Sequence, residues 1–583
     1  MLQLQGLGAM GQQSGNVHRD LLRKCFTHLQ APAPYKLTCQ MAMKVAGEKC
    51  LTECDCFVLL LHQWVESLQQ GELLVNLTCT DNDLILFWES QKKNPQMTQQ
   101  LWRSLDFDRP ESLPIPWCLH GDGAPFTETD SIQVLSFRCL LTSMPVGDSQ
   151  LLLAAIPKAA VSKETFNTIM ECMAWSFTSL YEGKAPKKNH SGVPMDGVKG
   201  RPLRRGVLWA ITGDLEWFAS EFGFPYSSNN MICAYCLADQ KKTGSERPFT
   251  DCRPTAAWRS SILSPKLLQK EYGTHPLFKV PACSPLAIKL DILHVLDLGV
   301  AAYLHGSVLI DIMDKLGGTS RSLDTFFALG WTALVACRLA GQPPMLHVGW
   351  TALARSMGWT ALGPSHSESP GEAKMQLLNK KIAEMYGKLG IEAAKRIKHL
   401  TLNDVASSAE EYPVLKHIKG NKIRHFAPVA LELSKLHADD RAEKHRVAML
   451  EELQRIYTLL GKNWKEWSPE CGIALERAGQ VLLAHYSWLA NDAFEKGLHR
   501  YSLVQKHHKL NHLLAQAHHI HPASTWCYGS ESFMGIIKQI SSSCTWGTPA
   551  HKVTGKVLMK FRLVFHLLLK GYRNLDIIDS AEE

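Results

Sequence analysis

The sequence lacks the patterns that carry a protein to or across a membrane. It has no run of about 20 apolar residues free of charge, so no transmembrane helix is expected. Its N-terminal residues show no basic stretch followed by an apolar one, which argues against a secretory signal peptide. It also has no dense Lys/Arg cluster typical of nuclear import. We therefore expect a protein that is nuclear or cytoplasmic, neither secreted nor membrane-spanning.

The composition also lacks the bias of disordered, collagen-like or coiled-coil chains. Hydrophobic residues make up 45% of the 583 positions and charged residues 20%, which is ordinary for globular proteins. The length corresponds to about four domains, or to fewer domains with large insertions. The 17 cysteines are an odd number spread along a long chain. They favour free thiols and a metal site over a disulfide framework.

Four of these cysteines crowd together between residues 39 and 56 of the N-terminal region, which is taken here as residues 1–110. Cys39, Cys50, Cys54 and Cys56 fit the spacing of no standard zinc finger, and no histidine pair follows them. Buried thiols are favoured over a zinc knot, and the fold of this region is not readable from its sequence.

The net charge of +8 lies entirely in one C-terminal segment, residues 506–573, while the rest of the chain is neutral. The segment contains a single acid, Glu531. A local basic field indicates a phosphate partner, although a solvated helical face would look the same. Its nine cations are Lys506, Lys509, Lys538, Lys552, Lys556, Lys560, Arg562, Lys570 and Arg573.

The pattern of apolar residues predicts an α/β region. Residues 115–119, 132–142 and 151–156 read as three successive strands, residues 165–181 as an amphipathic helix, and residues 206–212 as a fourth strand. The stretch from about 300 to 500 reads as mostly helical, with Met449, Leu453, Ile456 and Leu460 on one face. The pentapeptide Gly-Trp-Thr-Ala-Leu occurs three times, from Gly330, Gly349 and Gly358, at spacings too unequal for a solenoid repeat.

Two aspartates follow the ends of predicted strands. Asp122 comes after the first strand and Asp214 after the fourth. Carboxylates at neighbouring strand ends suit divalent metal ions, and two such ions about 4 Å apart promote phosphoryl transfer. An Asp-Gly turn explains Asp122 alone, but the strands and helix between the two residues favour a shared site.

Two further motifs have the residue types of metal sites. Cys233-x-x-Cys236 is half of a tetrahedral zinc site, with Cys252, Cys283 and His294 as nearby candidates for the other half. Packed thiols are the close alternative, and a redox pair ranks last. Asp291, His294 and Asp297 follow at a spacing that places them near one helical face, where burial would demand partners.

Together these strings resemble the RNase H-like DDE transposases of eukaryotic cut-and-paste elements, nearest to the CACTA type and its relatives in the KDZ group. The resemblance covers about residues 115–573. It is carried by His-Gly-Asp122-Gly, Thr-Gly-Asp214-Leu, Cys233-x-x-Cys236, Asp291-x-x-His294 and Glu531-Ser-Phe-Met-Gly-Ile-Ile-Lys538.

The resemblance implies an RNase H-like mixed sheet flanked by helices and interrupted by a large helical insertion. Residues 111–300 would form the first part of this core, 301–500 the insertion, and 501–575 the C-terminal part. Asp122, Asp214 and Glu531 would be the catalytic triad that binds Mg²⁺ or Mn²⁺. Cys233 and Cys236, with His294, would bind a structural zinc, and Asp291 and Asp297 would support the site.

The partner would then be DNA, both the element ends and the target, and a homo-oligomer is also implied. The cations expected to contact DNA are Lys506, Lys509, Lys538, Lys552, Lys556 and Arg562. The resemblance predicts a metal-dependent DNA nuclease and strand-transferase. Two alternatives stay open: an inactive, domesticated DNA-binding protein, because the residues around Glu531 depart from the usual pattern, and a zinc-stabilised interaction protein.

Overall fold

The computed structural model describes residues 29–569 except 46–47, 196–199, 242–243, 317–369, 407 and 409. The three Gly-Trp-Thr-Ala-Leu copies and the last two cations of the basic segment, Lys570 and Arg573, lie outside the described residues.

The N-terminal region forms a hairpin of two long antiparallel strands, β1 (Tyr35–Val45) and β2 (Glu48–Val58), followed by helices α1 (Leu61–Gln70) and α2 (Asp81–Ser90). Cys39 and Cys56 are buried in it, as predicted, but Cys50 is exposed and Cys54 half-buried. Short helices at Leu74–Leu77 and Gln99–Arg103 connect the hairpin to the next layer.

A mixed four-stranded sheet, predicted from the apolar pattern, lies at the centre. It consists of β3 (Ile115–Pro125), β4 (Ser131–Cys139), β5 (Leu151–Pro157) and β6 (Gly206–Gly213), in the order β5-β4-β3-β6. Strands β3, β4 and β5 pair antiparallel, whereas β6 runs parallel to β3. One parallel bridge, Ile211 to Ile288, continues the sheet beyond β6. A single turn of helix, Val146–Ser149, precedes β5.

Helix α3 (Lys163–Glu182) makes the crossover from β5 to β6. It begins at a capping box between Ser162 and Thr165, and it ends at Gly183, whose φ of 69° is left-handed. Its predicted apolar face, which includes Ile169 and Met173, is buried against the sheet. The crossover therefore covers one face of the sheet and returns the chain parallel to β3.

A second hydrophobic core lies in the helical region. Helices α4 (Leu215–Phe222) and α5 (Pro265–Tyr272) follow β6, and a π-helix (Leu293–Ala301), kinked at Gly299, then continues into α6 (Ala302–Lys315). The buried residues of α4 belong to the core of the sheet. The second core consists of residues from the π-helix, α6, α7 (Pro370–Lys388), α8 (Gly420–Lys435), α9 (Arg441–Leu460), α10 (Pro469–Glu495) and the helix Gln505–Gln516. The predicted face of α9 is buried, as Met449, Leu453, Ile456 and Leu460 show.

The segment Leu293–Lys315 is long and apolar enough to cross a membrane, but 83% of its most apolar stretch is buried inside the protein. It packs against α8 and α11 (Gln505–Gln516), as the core helix of a globular protein does.

The last two described helices return to the sheet. Helix α12 (Tyr528–Ser542) packs on β3 and β4, and α13 (Ala550–Leu569) on β5 and β2. Phe533, Ile537, Val557 and Phe561 of these helices belong to the core of the sheet. The sheet is therefore completed by segments from both sides of the helical region.

Candidate metal centres

Asp122 and Asp214 are neighbours on the two parallel strands. The residues that precede them, Gly121 and Gly213, are directly paired between β3 and β6. The indole of Trp217 packs over both glycines, so that a Cβ atom would lie 2.1 Å from the ring at Gly121 and 2.5 Å from it at Gly213. A side chain at either position would displace the indole. The two glycines therefore allow the aspartates to sit side by side.

Backbone N–H groups fix the orientation of both carboxylates. Gly123 N donates to Asp122 Oδ1 at 2.7 Å. Asp214 is the N-cap of α4 and accepts from Trp217 N through Oδ1 at 2.6 Å. The aspartates are thus held in place by the protein alone, as preorganised metal ligands are.

Glu531 brings a third carboxylate from the far end of the chain. It lies in the first turn of α12, close enough to Asp122 and Asp214 for the charges of the three carboxyl groups to interact. Burial, followed by the charges of Glu531 and Asp214, raises the pKa of Asp122 to about 8. Burial also raises the pKa of Glu531. The three residues of the predicted triad therefore interact, and they form an acidic centre whose repulsion a cation would relieve.

A more compact group stands beside this acidic centre. The ligand atoms of Asp291, His294 and Cys527 lie within 4.8 Å of one another, a limit that the triad itself does not meet among the described residues. His294 Nδ1 is 2.8 Å from Asp291 Oδ2, and His294 Nε2 is 3.5 Å from Glu531 Oε1. Burial alone would lower the pKa of His294, but the bond to Asp291 and the surrounding carboxylates raise it to about 9.

Asp297 serves a different cluster. It is completely buried and accepts hydrogen bonds from Tyr528 Oη at 2.5 Å, Tyr457 Oη at 2.6 Å and Arg424 Nη2 at 3.1 Å. The guanidinium of Arg424 also lies 5.0 Å from the ring centre of Trp526. Tyr528 is the first residue of α12. This cluster therefore fixes the start of the helix that carries Glu531, which makes Asp297 a positioning residue.

Cys233 and Cys236 meet two histidines of α11. The ligand atoms of Cys233, Cys236, His508 and His512 lie within 4.8 Å of one another, and all four residues are buried. Cys236 Sγ is 3.3 Å from His508 Nε2, which is 3.2 Å from His512 Nε2. Ligand atoms bound tetrahedrally to one zinc ion at 2.0–2.3 Å are about 3.3–3.8 Å apart. Two thiols and two imidazoles at this spacing fit structural zinc.

The sequence-based ligand set of this site needs correction. His294 was expected beside the two cysteines, but it lies at the acidic centre instead. Cys252 and Cys283 are buried elsewhere and belong to neither compact group. The two residues that do lie beside Cys233 and Cys236 are His508 and His512. They could have been found from the sequence, because they are four residues apart on one helix, which places both rings on the same face.

The six cations expected to contact DNA fall into two sets. Lys538, Lys552 and Lys556 are exposed. Lys509 is buried, which lowers its pKa to about 8, and Lys506 donates to Leu298 O at 3.0 Å from a half-buried position. Arg562 donates to Ala31 O at 3.2 Å. Lys506 and Lys509 are therefore packed against the protein interior and are not available to DNA. They lie on α11, which packs on the π-helix and carries two members of the zinc-type cluster, defined here as Cys233, Cys236, His508 and His512.

Comparison with known proteins adds no relative to this description. Neither the family models nor the curated proteins that were searched contain a match to the chain.

Proposed function

We propose that the chain is a metal-dependent DNA nuclease and strand-transferase of the RNase H-like DDE type. The observation that carries the proposal is the acidic centre. Asp122 and Asp214 stand on adjacent parallel strands, and Glu531 reaches them from a helix more than 300 residues further along the chain. Asp122 is a buried acid whose pKa is raised by burial and by the charges of Glu531 and Asp214, and such strongly perturbed acids cluster at functional sites.

The topology supports the same conclusion. Three antiparallel strands, a crossover helix and a fourth strand parallel to the first give the order β5-β4-β3-β6. This order places Asp122 on β3 beside Asp214, which directly follows the neighbouring strand β6, and the helical region separates the second aspartate from the glutamate. Both features agree with the fold that the resemblance implies.

Asp122, Asp214 and Glu531 would hold Mg²⁺ or Mn²⁺, and the ions would supply charge stabilisation to the attacking and leaving oxygens of a phosphodiester. Hydrolysis would join the water oxygen to phosphorus and break the P–O3′ bond, leaving a 3′-hydroxyl and a 5′-phosphate. That hydroxyl would then attack a target phosphodiester. Because the pKa of Asp122 is raised to about 8, binding of a cation should release a proton from the site.

Two other functions are compatible with parts of the structure. An inactive DNA-binding protein would need only the exposed cations, and an interaction protein only the zinc-type cluster. Neither explains why three acids should be held together at a cost in repulsion. We therefore favour the catalytic function, and zinc is proposed as a structural ion that joins α11 to the loop of Cys233 and Cys236.

The test is cleavage of supercoiled plasmid DNA by the purified full chain with Mg²⁺, Mn²⁺, Ca²⁺ or EDTA. We expect nicking or linearisation with Mg²⁺ or Mn²⁺ only. The cleavage rate of the variant Asp214→Asn should be at least about 100-fold lower than that of the original protein. Replacing a residue that only supports a metal ligand already lowers activity or metal affinity by about 10–100-fold, and Asp214 is proposed as a ligand itself.

The matched control is Asp108→Asn, which changes an exposed aspartate outside the acidic centre and should cleave like the original protein. Cleavage that persists in Asp214→Asn, or that proceeds in EDTA, would refute the proposed mechanism. DNA binding without cleavage in any metal would instead support the inactive DNA-binding protein.

A further inference from the structure

The imidazole of His294 is held in one orientation by a carboxylate that has no other role in the acidic centre. Asp291 Oδ2 accepts from His294 Nδ1 at 2.8 Å and from His294 N at 3.0 Å. Asp291 Oδ1 accepts from Cys527 N at 2.8 Å. Because Asp291 is buried and bonded on both oxygens, it fixes the ring and leaves only Nε2 free to act.

Nε2 faces the triad. It lies 3.5 Å from Glu531 Oε1, which is longer than a good N–H···O hydrogen bond. Two atoms that bind one ion at about 2.0–2.2 Å are about 3.0–3.6 Å apart, depending on the coordination geometry. The side chains of His294 and Glu531 are 20% and 41% exposed, so an ion from solvent can reach both.

The arrangement has the form of a known support for metal ligands. A histidine that binds a metal through one ring nitrogen almost always donates the other N–H to a carboxylate, which fixes the tautomer and strengthens the ligand. Asp291 supplies that carboxylate here. Imidazole suits first-row transition ions, whereas Mg²⁺ prefers oxygen ligands throughout.

We infer that His294 Nε2 is a ligand of the metal ion bound by Glu531 and Asp122, and that this centre selects Mn²⁺ or a similar transition ion over Mg²⁺. The inference rests on the proposed function for its metal site, and it adds a fourth protein ligand and a metal preference. Asp291 then acts through His294 as a positioning residue.

The test is pulsed electron paramagnetic resonance of Mn²⁺ bound to the full chain, with the zinc it carries on purification left in place. A ligating imidazole couples its ¹⁴N nucleus to the electron spin. We expect ¹⁴N modulation in the original protein and none in His294→Ala, with Mn²⁺ binding weakened at least about 10-fold. His294→Asp replaces nitrogen by oxygen and should shift the preference towards Mg²⁺.

His399→Ala is the control, because His399 is exposed in the helical region and should leave the spectrum unchanged. Bound Mn²⁺ without ¹⁴N modulation in the original protein would overturn the assignment of His294 even if no variant folds. So would modulation that survives in His294→Ala. Either result would leave metal-dependent cleavage and its loss in Asp214→Asn untouched, whereas failure of the original protein to bind Mn²⁺ at all would refute the proposed function as well.

Discussion

Two glycines matter to the acidic centre as much as the aspartates that follow them. Gly121 and Gly213 face each other across β3 and β6, and Trp217 lies over both. The motifs Gly-Asp122 and Gly-Asp214 are therefore two halves of one packing arrangement. The sequence identified the aspartates, but the reason for the glycines needed the position of the indole.

The variant Gly213→Ala should destabilise the protein. Its Cβ would lie 2.5 Å from the carbonyl oxygen of Gly121 and 2.5 Å from the Trp217 ring, and the carbonyl belongs to the backbone of a central strand. Forcing extra volume into a packed interior costs about 1–3 kcal/mol. Urea denaturation measures the change in the free energy of unfolding.

The control for this substitution is Gly535→Ala. Gly535 lies inside α12 with no atom within 4 Å of an added Cβ, so alanine should stabilise the helix by up to about 1 kcal/mol. An unchanged free energy of unfolding in Gly213→Ala would show that Trp217 can move aside, and the packing argument would then fail.

Single residues were predictable where their neighbours in sequence defined them. Asp122, Asp214 and Glu531 were recognised from short motifs, and the structure brings them close enough for the charges of Glu531 and Asp214 to raise the pKa of Asp122. His294 was assigned to the wrong group, because a zinc half-site does not say which distant residues complete it. His508 and His512, more than 270 residues after Cys233, lie beside the two cysteines instead.

At the scale of elements, the π-helix shows that polar residues expected on one helical face can belong to different side-chain clusters. Asp291, His294 and Asp297 were expected near one helical face. The segment Leu293–Ala301 has π-helical turns and a kink at Gly299, and within it Asp297 reaches Arg424 while His294 reaches Glu531. Strand β3 likewise extends past its predicted end, because residues 121–125 pair with β4.

Loss of zinc should loosen α11 from the loop that carries Cys233 and Cys236. Cys236→Ser should remove the bound zinc, since a neutral hydroxyl is a poor substitute for a thiolate ligand. A ligand present at 100 times its Kd contributes about 2.7 kcal/mol, so for a chain of 583 residues we expect the melting temperature to fall by roughly 2–3 °C. Elemental analysis gives the zinc content and calorimetry the melting temperature.

Cys50→Ser is the matched control, because Cys50 is an exposed cysteine on β2. It should keep both the zinc content and the melting temperature. Full zinc content in Cys236→Ser would mean that the four side chains are packed thiols and imidazoles rather than a metal site.

On the scale of the whole molecule, only part of the positive charge of the basic segment lies on the surface, where the sequence led us to expect it. The two cations at the start of the basic segment, Lys506 and Lys509, are used inside the protein. Lys538, Lys552 and Lys556 remain on the surface of α12 and α13, and no acid occurs between Glu531 and Asp576. Trp546, which is 95% exposed, lies on the turn between the two helices. Exposed cations on the two helices that flank an exposed aromatic side chain suit a nucleic acid partner.

These three lysines should account for much of the salt dependence of DNA binding. Each phosphate contact contributes about 0.9 to the slope of log K against log salt concentration, so replacing all three by alanine should lower the slope by about 2–3. Fluorescence anisotropy of a labelled duplex at several salt concentrations, in EDTA, measures binding apart from cleavage. The same substitutions at Lys380, Lys388 and Lys398, exposed lysines of the helical region, should leave the slope unchanged. If both triple variants reduced the slope equally, the attraction of DNA would depend on the total charge of the protein. The surface formed by α12 and α13 would then not be the DNA interface.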